Sequence, residues 1–136
     1  MKKHLLLIDD DIDEFDFITT LLIEMPFLKF TYACNGKSGI DLMLEDTPDV
    51  VLLDMNMPAM SGIDCLKKIK HTPNIQSIPV YMYSNCHSQT FVEDAKYYGA
   101  VDCYKKPTSA DNLRKILVKV LSESHAVNPV RRERSI

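Results

Sequence analysis

An α/β fold built on a parallel sheet follows from two features of the 136-residue sequence. Short apolar runs alternate five times with segments whose apolar residues recur at helical spacing. The runs at residues 5–8 (LLLI) and 50–53 (VVLL) show no apolar–polar alternation, which marks strands buried on both faces. Strands that alternate with helices in this way form a sheet covered on both sides by right-handed crossovers.

The elements read in order as follows. After the first run, Ile12, Phe15, Ile18, Thr19, Leu22 and Ile23 recur at helical spacing up to Pro26, with Asp11 as the expected N-cap. Residues 28–33 (LKFTYA) alternate and suit a strand nearer the sheet edge. A helix is expected over 37–45, closed by Asp46-Thr47-Pro48. The third strand, 49–54, ends on the carboxylate of Asp54. Ser61 is placed to cap a helix carrying Ile63, Leu66 and Ile69. A fourth strand spans 78–83 and a helix 89–98, stopped by Gly99. A short strand at 101–104 leads to Lys105-Lys106-Pro107. Thr108 or Ser109 then caps a last helix with Leu113, Ile116, Leu117, Val120 and Leu121 on one side.

Composition excludes several classes. Hydrophobic residues at 46% and charged residues at 26% are ordinary globular values. No apolar run approaches the ~20 residues of a membrane helix, and residues 1–8 are too short for a signal peptide. A net charge of −3 gives no general attraction to nucleic acid or anionic membrane, and a cytoplasmic location is expected. Cys34, Cys65, Cys86 and Cys103 are scattered without a C-x-x-C pair, so reduced thiols packed as small hydrophobes are expected. The domain is expected to occupy 1–123, followed by a disordered basic tail at 124–136 that holds three of the arginines.

Parallel α/β sheets bind ligands beyond the carboxyl ends of their strands. Those ends carry Asp9 and Asp10, then Asp54, then Ser84, then Lys106. Converging carboxylates repel unless a cation joins them, and an all-oxygen set with room for water suits Mg²⁺ or Mn²⁺. A lysine and a hydroxyl facing that cation complete a cage for a trigonal, oxygen-rich anion, the requirement of phosphoryl transfer. A carboxylate nucleophile in such a cage would form an aspartyl phosphate.

With these residues in place, the sequence resembles the receiver domains of two-component response regulators, including the stand-alone chemotaxis type. The resemblance covers about residues 3–122 and rests on LLLIDDD, VVLLDMNMPAMSG, IPVYMYSN and YGAVDCYKKP, in that order. It implies a flavodoxin-like, doubly wound (βα)5 fold with a five-stranded parallel sheet in the order 2-1-3-4-5. It implies Asp54 as phosphoacceptor, with Mg²⁺ or Mn²⁺ held by Asp9, Asp10, Asp54 and the backbone carbonyl of Asn56. Ser84 and Lys106 would each bond a phosphoryl oxygen, Lys106-Pro107 would be a cis peptide, and Gly62 would let the loop after Asp54 turn. The implied partners are a sensor histidine kinase or histidine phosphotransfer protein and a downstream target protein. Nothing after Leu121 is long enough for an output module, so output is expected through docking, by a monomer or weak dimer that is a switch rather than an enzyme.

One position departs from the family. Where an aromatic side chain is usual, three residues before the lysine, stands Cys103, and its neighbour Tyr104 points to the opposite face. Ser84 would then act through the loop at 85–89, or Tyr97 and Tyr98 would contribute. Asn85 also replaces the small residue usual after the hydroxyl. Two other readings compete: a phosphorylation-independent adaptor, and a phosphatase of the haloacid dehalogenase type. The second wants Thr or Val where Asp13 stands. A calcium loop over Asp9, Asp11 and Asp13 fails because Glu14 occupies the position that needs glycine. Elsewhere plainer roles are expected: Asp13, Glu14 and Asp16 as a solvated helix face, Lys105 as a solvent lysine, and Met55, Met57 and Met60 as loop packing. His4, His71, His87 and His125 form no spaced set.

Overall fold

The computed structural model describes the backbone of residues 2–134 and the side chains of residues 2–123. Five parallel strands, β1 (Lys3–Ile8), β2 (Leu28–Ala33), β3 (Val50–Leu53), β4 (Val80–Ser84) and β5 (Asp102–Lys105), lie in the order β2-β1-β3-β4-β5. They are joined through α1 (Ile12–Thr19), α2 (Gly36–Glu45), α3 (Gly62–Lys70) and α4 (Gln89–Tyr97), and followed by α5 (Ala110–Arg134). The flavodoxin-like order expected from the sequence is the one observed.

Alternation along the strands divides the core into two layers. Leu6, Ile8, Val51, Leu53, Val80, Met82 and Cys103 pack with Met43, Leu66, Ile69 and Phe91 of the helices on one face. Leu5, Leu7, Val50, Leu52, Tyr81 and Tyr83 pack with Ile18, Leu113, Leu117 and Val120 on the other. Met55, Met57 and Met60 join the first layer, so the methionines are indeed loop packing. All four cysteines are free thiols.

The caps follow the sequence. Asp11, Ser61 and Ser109 accept the backbone N–H groups of Asp13, Asp64 and Asn112 at the starts of α1, α3 and α5. Gly99 adopts φ +111, in the left-handed region that glycine enters without strain.

Three expectations need correction. The first helix does not run on to Ile23: α1 ends at Thr19 and a separate 3-10 turn covers Leu22–Glu24. Thr19 and Thr20 turn their hydroxyls onto the carbonyls of Phe15 and Phe17, a back-bonding that competes with helix continuation. Apolar spacing misled here because Ile23 is 92% exposed rather than buried. The Lys106-Pro107 bond is trans, the intrinsically favoured isomer. Glu14 is not part of a solvated face: it is half-buried and accepts the hydroxyl of Tyr83 at 2.9 Å, because a tyrosine buried in β4 needs a partner for its O–H. The α5 backbone is helical to Arg134. The tail's side chains lie outside the described residues. Among the described residues no helix is long and apolar enough to cross a membrane.

Candidate functional site

Strand pairing delivers the polar residues to one edge. β1 and β3 are in register at Ile8 and Leu53, so the next residues of each, Asp9 and Asp54, emerge side by side. The ladder runs one residue past the strands: Asp9 N–H donates to Ala33 O, Asp54 N–H to Ile8 O, and Lys106 N–H to Ser84 O. Sheet hydrogen bonds therefore fix the backbone of each of these residues.

Asp9, Asp10 and Asp54 each offer a carboxylate oxygen, and these atoms lie within 4.8 Å of one another. Lys106 reaches across from the end of β5. Its ammonium sits 2.8 Å from Asp9 Oδ2 and 3.6 Å from Asp54 Oδ1. Asp9, Asp54, Ser84 and Lys106 are 0%, 5%, 1% and 7% exposed, whereas Asp10 faces solvent. Charged groups of such low exposure persist only when paired or coordinated.

The electrostatics follow from that burial. Burial is the main cause that raises the Asp54 carboxyl to about 6, the nearby Asp9 charge adds to it, and Lys106 opposes it. Burial likewise raises Asp9 against the opposing pull of Lys106. For Lys106, burial alone would favour the neutral amine, but contact with Asp9 and the charge of Asp54 outweigh it and hold the ammonium above its ordinary range. One lysine thus neutralises part of a cluster of three acids, and the remaining negative charge calls for a second cation.

The donor chemistry fits a hard divalent ion. Asp9 Oδ1 accepts the Asp11 N–H at 3.0 Å, but Asp9 Oδ2 is buried without an aligned hydrogen bond despite the nearby ammonium. Asp54 Oδ1 accepts the Met55 N–H at 2.9 Å. An oxygen-only set opening to solvent at Asp10 is what Mg²⁺ or Mn²⁺ uses while keeping several waters.

The surrounding loops explain two further residues. Gly62 N–H donates to Met55 O at 2.7 Å, and a Cβ at Gly62 would run into the Asp54 carbonyl oxygen and lie 2.6 Å from Met55 Cα. Glycine is required there by close approach, which folds the start of α3 against the phosphoacceptor candidate. Ser84 Oγ accepts the Cys86 N–H at 3.2 Å, tying the hydroxyl to the loop after β4.

Of the residues expected at the site, Asp9, Asp10, Asp54 and Lys106 converge, and Ser84 adjoins them through its carbonyl contact with Lys106. Asn56 lies on the loop after β3 with its side chain exposed. Cys103 is buried in the layer beneath α2 to α4, while Tyr104 packs on the opposite layer against Tyr81 with ring centroids 5.9 Å apart. The aromatic of β5 is therefore on the wrong face to replace Cys103. Sequence reading missed the Tyr83–Glu14 pair. The available signal was a tyrosine within a run otherwise too apolar to satisfy its hydroxyl.

Comparison with known proteins agrees with this geometry. Residues 5–118 match the response regulator receiver domain family. The chain is 32% identical over 122 residues to the chemotaxis protein CheY of Bacillus subtilis (strain 168), covering 90% of this chain and 100% of that protein. It is also 32% identical over 130 residues to protein-glutamate methylesterase/protein-glutamine glutaminase 1 of Methanosarcina acetivorans. That match covers 91% of this chain but 36% of the relative, so the chain spans about a third of the length of such relatives. Among solved structures, the signal receiver domain of a DNA binding response regulator from Colwellia psychrerythraea 34H superposes with a TM-score of 0.77 at 30% identity, covering 89% of this chain and 99% of that one. With its strand order, its acid cluster and these relatives in agreement, the chain belongs to the response regulator receiver domain family of two-component signalling.

Proposed function

We propose that this domain is a phosphorylation switch with Asp54 as phosphoacceptor. The observation that carries the reading is the placement of Asp54: a nearly buried carboxylate at the sheet's carboxyl edge, beside two further acids and 3.6 Å from the Lys106 ammonium. A carboxylate oxygen of Asp54 attacks the phosphorus of a donor phosphohistidine. The P–N bond breaks, and its electron pair returns to the imidazole of a sensor histidine kinase or histidine phosphotransfer protein.

The chain's own groups serve that transfer in distinct ways. Asp9, Asp10, Asp54 and the Asn56 carbonyl would hold Mg²⁺ or Mn²⁺, which offsets charge on the transferring phosphoryl oxygens. Lys106 pairs with another of those oxygens once the phosphoryl group displaces the direct Asp54 contact. Ser84 donates its hydroxyl to a third, giving electrostatic stabilisation by preorganised groups. Low exposure strengthens each of these contacts relative to water.

Phosphorylation is read out through the loop after β4. Ser84 Oγ already accepts the Cys86 N–H, so drawing the hydroxyl toward a phosphoryl group moves that N–H and the segment leading to Ser88, the N-cap of α4. With Cys103 and not an aromatic at the inward position of β5, the readout rests on this loop and the start of α4. The phosphoryl group shifts a two-state equilibrium by binding one arrangement better, which changes affinity for a downstream protein.

Intact-protein mass after incubation with acetyl phosphate tests this directly. A gain of one phosphoryl group that requires Mg²⁺ and is lost in Asp54→Asn supports it. No adduct with Mg²⁺ present, in a protein that also fails to bind beryllofluoride, contradicts it and favours an adaptor that uses the fold without the chemistry.

A further inference from the structure

We infer that the hydrogen bond from Tyr83 to Glu14 is a strut that positions the Asp9–Asp10 loop against the Ser84 end of β4, and so sets the affinity of the acid cluster for a divalent cation. The inference rests on the cation-assisted reading above but concerns residues that reading does not use.

The geometry supplies a continuous path. Tyr83 is fully buried, directly precedes Ser84, and sends its hydroxyl to Glu14 Oε1 at 2.9 Å. Glu14 N–H donates to the Asp11 carbonyl, and Asp11 N–H donates to Asp9 Oδ1 at 3.0 Å. Tyr83, Glu14 and Asp11 therefore link the strand that carries the hydroxyl to the carboxylate that pairs with Lys106.

The strut matters because, among the described residues, the Tyr83–Glu14 bond is the hydrogen bond that joins the first turn of α1 to β4. The helix is 8 residues long, and Ile18, near its far end, is its one fully buried side chain. In the first turn Ile12 is 54% exposed and Asp13 faces solvent. Phe15 stacks on Phe30 and lies tilted against Tyr32, which belong to β2 at the sheet edge and not to β4. Glu14 thus ties this turn by a hydrogen bond to the strand bearing Ser84. A tyrosine hydroxyl bonded to a carboxylate is stronger than a bond between neutral partners. Outer partners of metal-ligating carboxylates typically change metal affinity by about tenfold or more when removed. Here the partner acts through one loop, so about threefold to tenfold is expected.

Mn²⁺ affinity, read from the electron paramagnetic resonance signal of the free ion, tests the strut with no need for phosphorylation. Tyr83→Phe keeps the charge of Glu14 and loses the bond. Glu14→Gln loses the charge and keeps an acceptor, and Glu14→Ala loses both. The expected pattern is Mn²⁺ binding about threefold to tenfold weaker in Tyr83→Phe than in wild type, and weaker by a similar factor in Glu14→Ala than in Glu14→Gln. Thermal denaturation of each variant sets the working temperature well below its midpoint, where a purely structural bond would leave Mn²⁺ affinity unmoved. Tyr83→Phe within twofold of wild type, or equal affinities for Glu14→Ala and Glu14→Gln, overturns the strut. If the Mn²⁺ pattern appears but wild type takes no phosphoryl group from acetyl phosphate, the phosphoacceptor reading fails and the strut stands. If wild type is labelled but the Mn²⁺ pattern is flat, the strut fails and the phosphoacceptor reading stands. A wild type that binds no Mn²⁺ overturns both.

Discussion

Asp54→Asn should make the unphosphorylated protein more stable at pH 7, although the substitution removes the proposed phosphoacceptor. Burial and the charge of Asp9 raise the Asp54 carboxyl from 3.8 to about 6. A raised acid binds its proton more tightly in the folded than in the unfolded state, so folding is favoured at low pH. That advantage fades as pH rises from about 4 to about 6. At 1.36 kcal/mol for each pH unit between the two midpoints, the ionised Asp54 costs the folded state up to about 3 kcal/mol at pH 7. Asparagine has nearly the same shape and does not ionise, and Lys106 keeps its contact with Asp9. For a domain of this size about 4 °C of melting temperature accompanies each kcal/mol, so a gain of roughly 12 °C is the upper expectation. The assay is thermal unfolding followed by circular dichroism, in metal-free buffer with chelator, on both proteins from pH 4 to pH 7.5. The difference in melting temperature should be near zero at pH 4 and grow through pH 6. A pH-independent difference, or a less stable asparagine variant at pH 7, would refute the reasoning that burial and the neighbouring Asp9 charge raise the Asp54 carboxyl.

Other perturbations follow from the same geometry. Gly62→Ala drives a methyl group into the backbone of Asp54 and Met55 and should destabilise by about 1–3 kcal/mol, which chemical denaturation would read as a lower midpoint with unchanged slope. Lys106→Ala strips the ammonium from two buried carboxylates; a loss of about 3 kcal/mol at pH 7 is expected in metal-free buffer, and equal stability would show that the pair contributes nothing net. The same variant should still accept some phosphoryl group on Asp54 yet lose the phosphorylation-dependent change in partner affinity, and unaltered partner binding after labelling would contradict the role given to Lys106. Ile23→Ser, at a side chain 92% exposed on the turn after α1, should leave stability within about 0.5 kcal/mol, and a larger loss would mean that this turn packs against something.

Much of this was legible before any coordinate. Two fully apolar runs ending in Asp9 and Asp54 reveal buried parallel strands and place both carboxylates on one edge, because parallel strands in register end together. Caps were legible because Asp11, Ser61 and Ser109 are short polar side chains standing just ahead of helical apolar spacing. What escaped depends on contacts distant in sequence or on local back-bonding. Ile23 fits the helical period, yet nothing in the period reveals that Thr19 and Thr20 turn their hydroxyls back on the chain and end α1 early. Glu14 sits among exposed acids and reads as one of them, and only the packing of Tyr83, 69 positions away, turns it inward. The Lys106-Pro107 bond takes the intrinsically favoured trans isomer, which spacing does not encode. The family resemblance put Cys103 at the inward position and alternation put Tyr104 on the opposite face, and the two lie in opposite layers.

The central claim is that Asp54, and no other acid of the cluster, carries the phosphoryl group. Borohydride reduction of protein treated with acetyl phosphate and Mg²⁺ converts an acyl phosphate to an alcohol, and peptide sequencing by mass spectrometry then locates the altered residue. Conversion is predicted at Asp54, absent without Mg²⁺ and absent at Asp9 and Asp10. Conversion at Asp9 or Asp10, or at none of the three when acetyl phosphate and Mg²⁺ are both in excess, would contradict the claim.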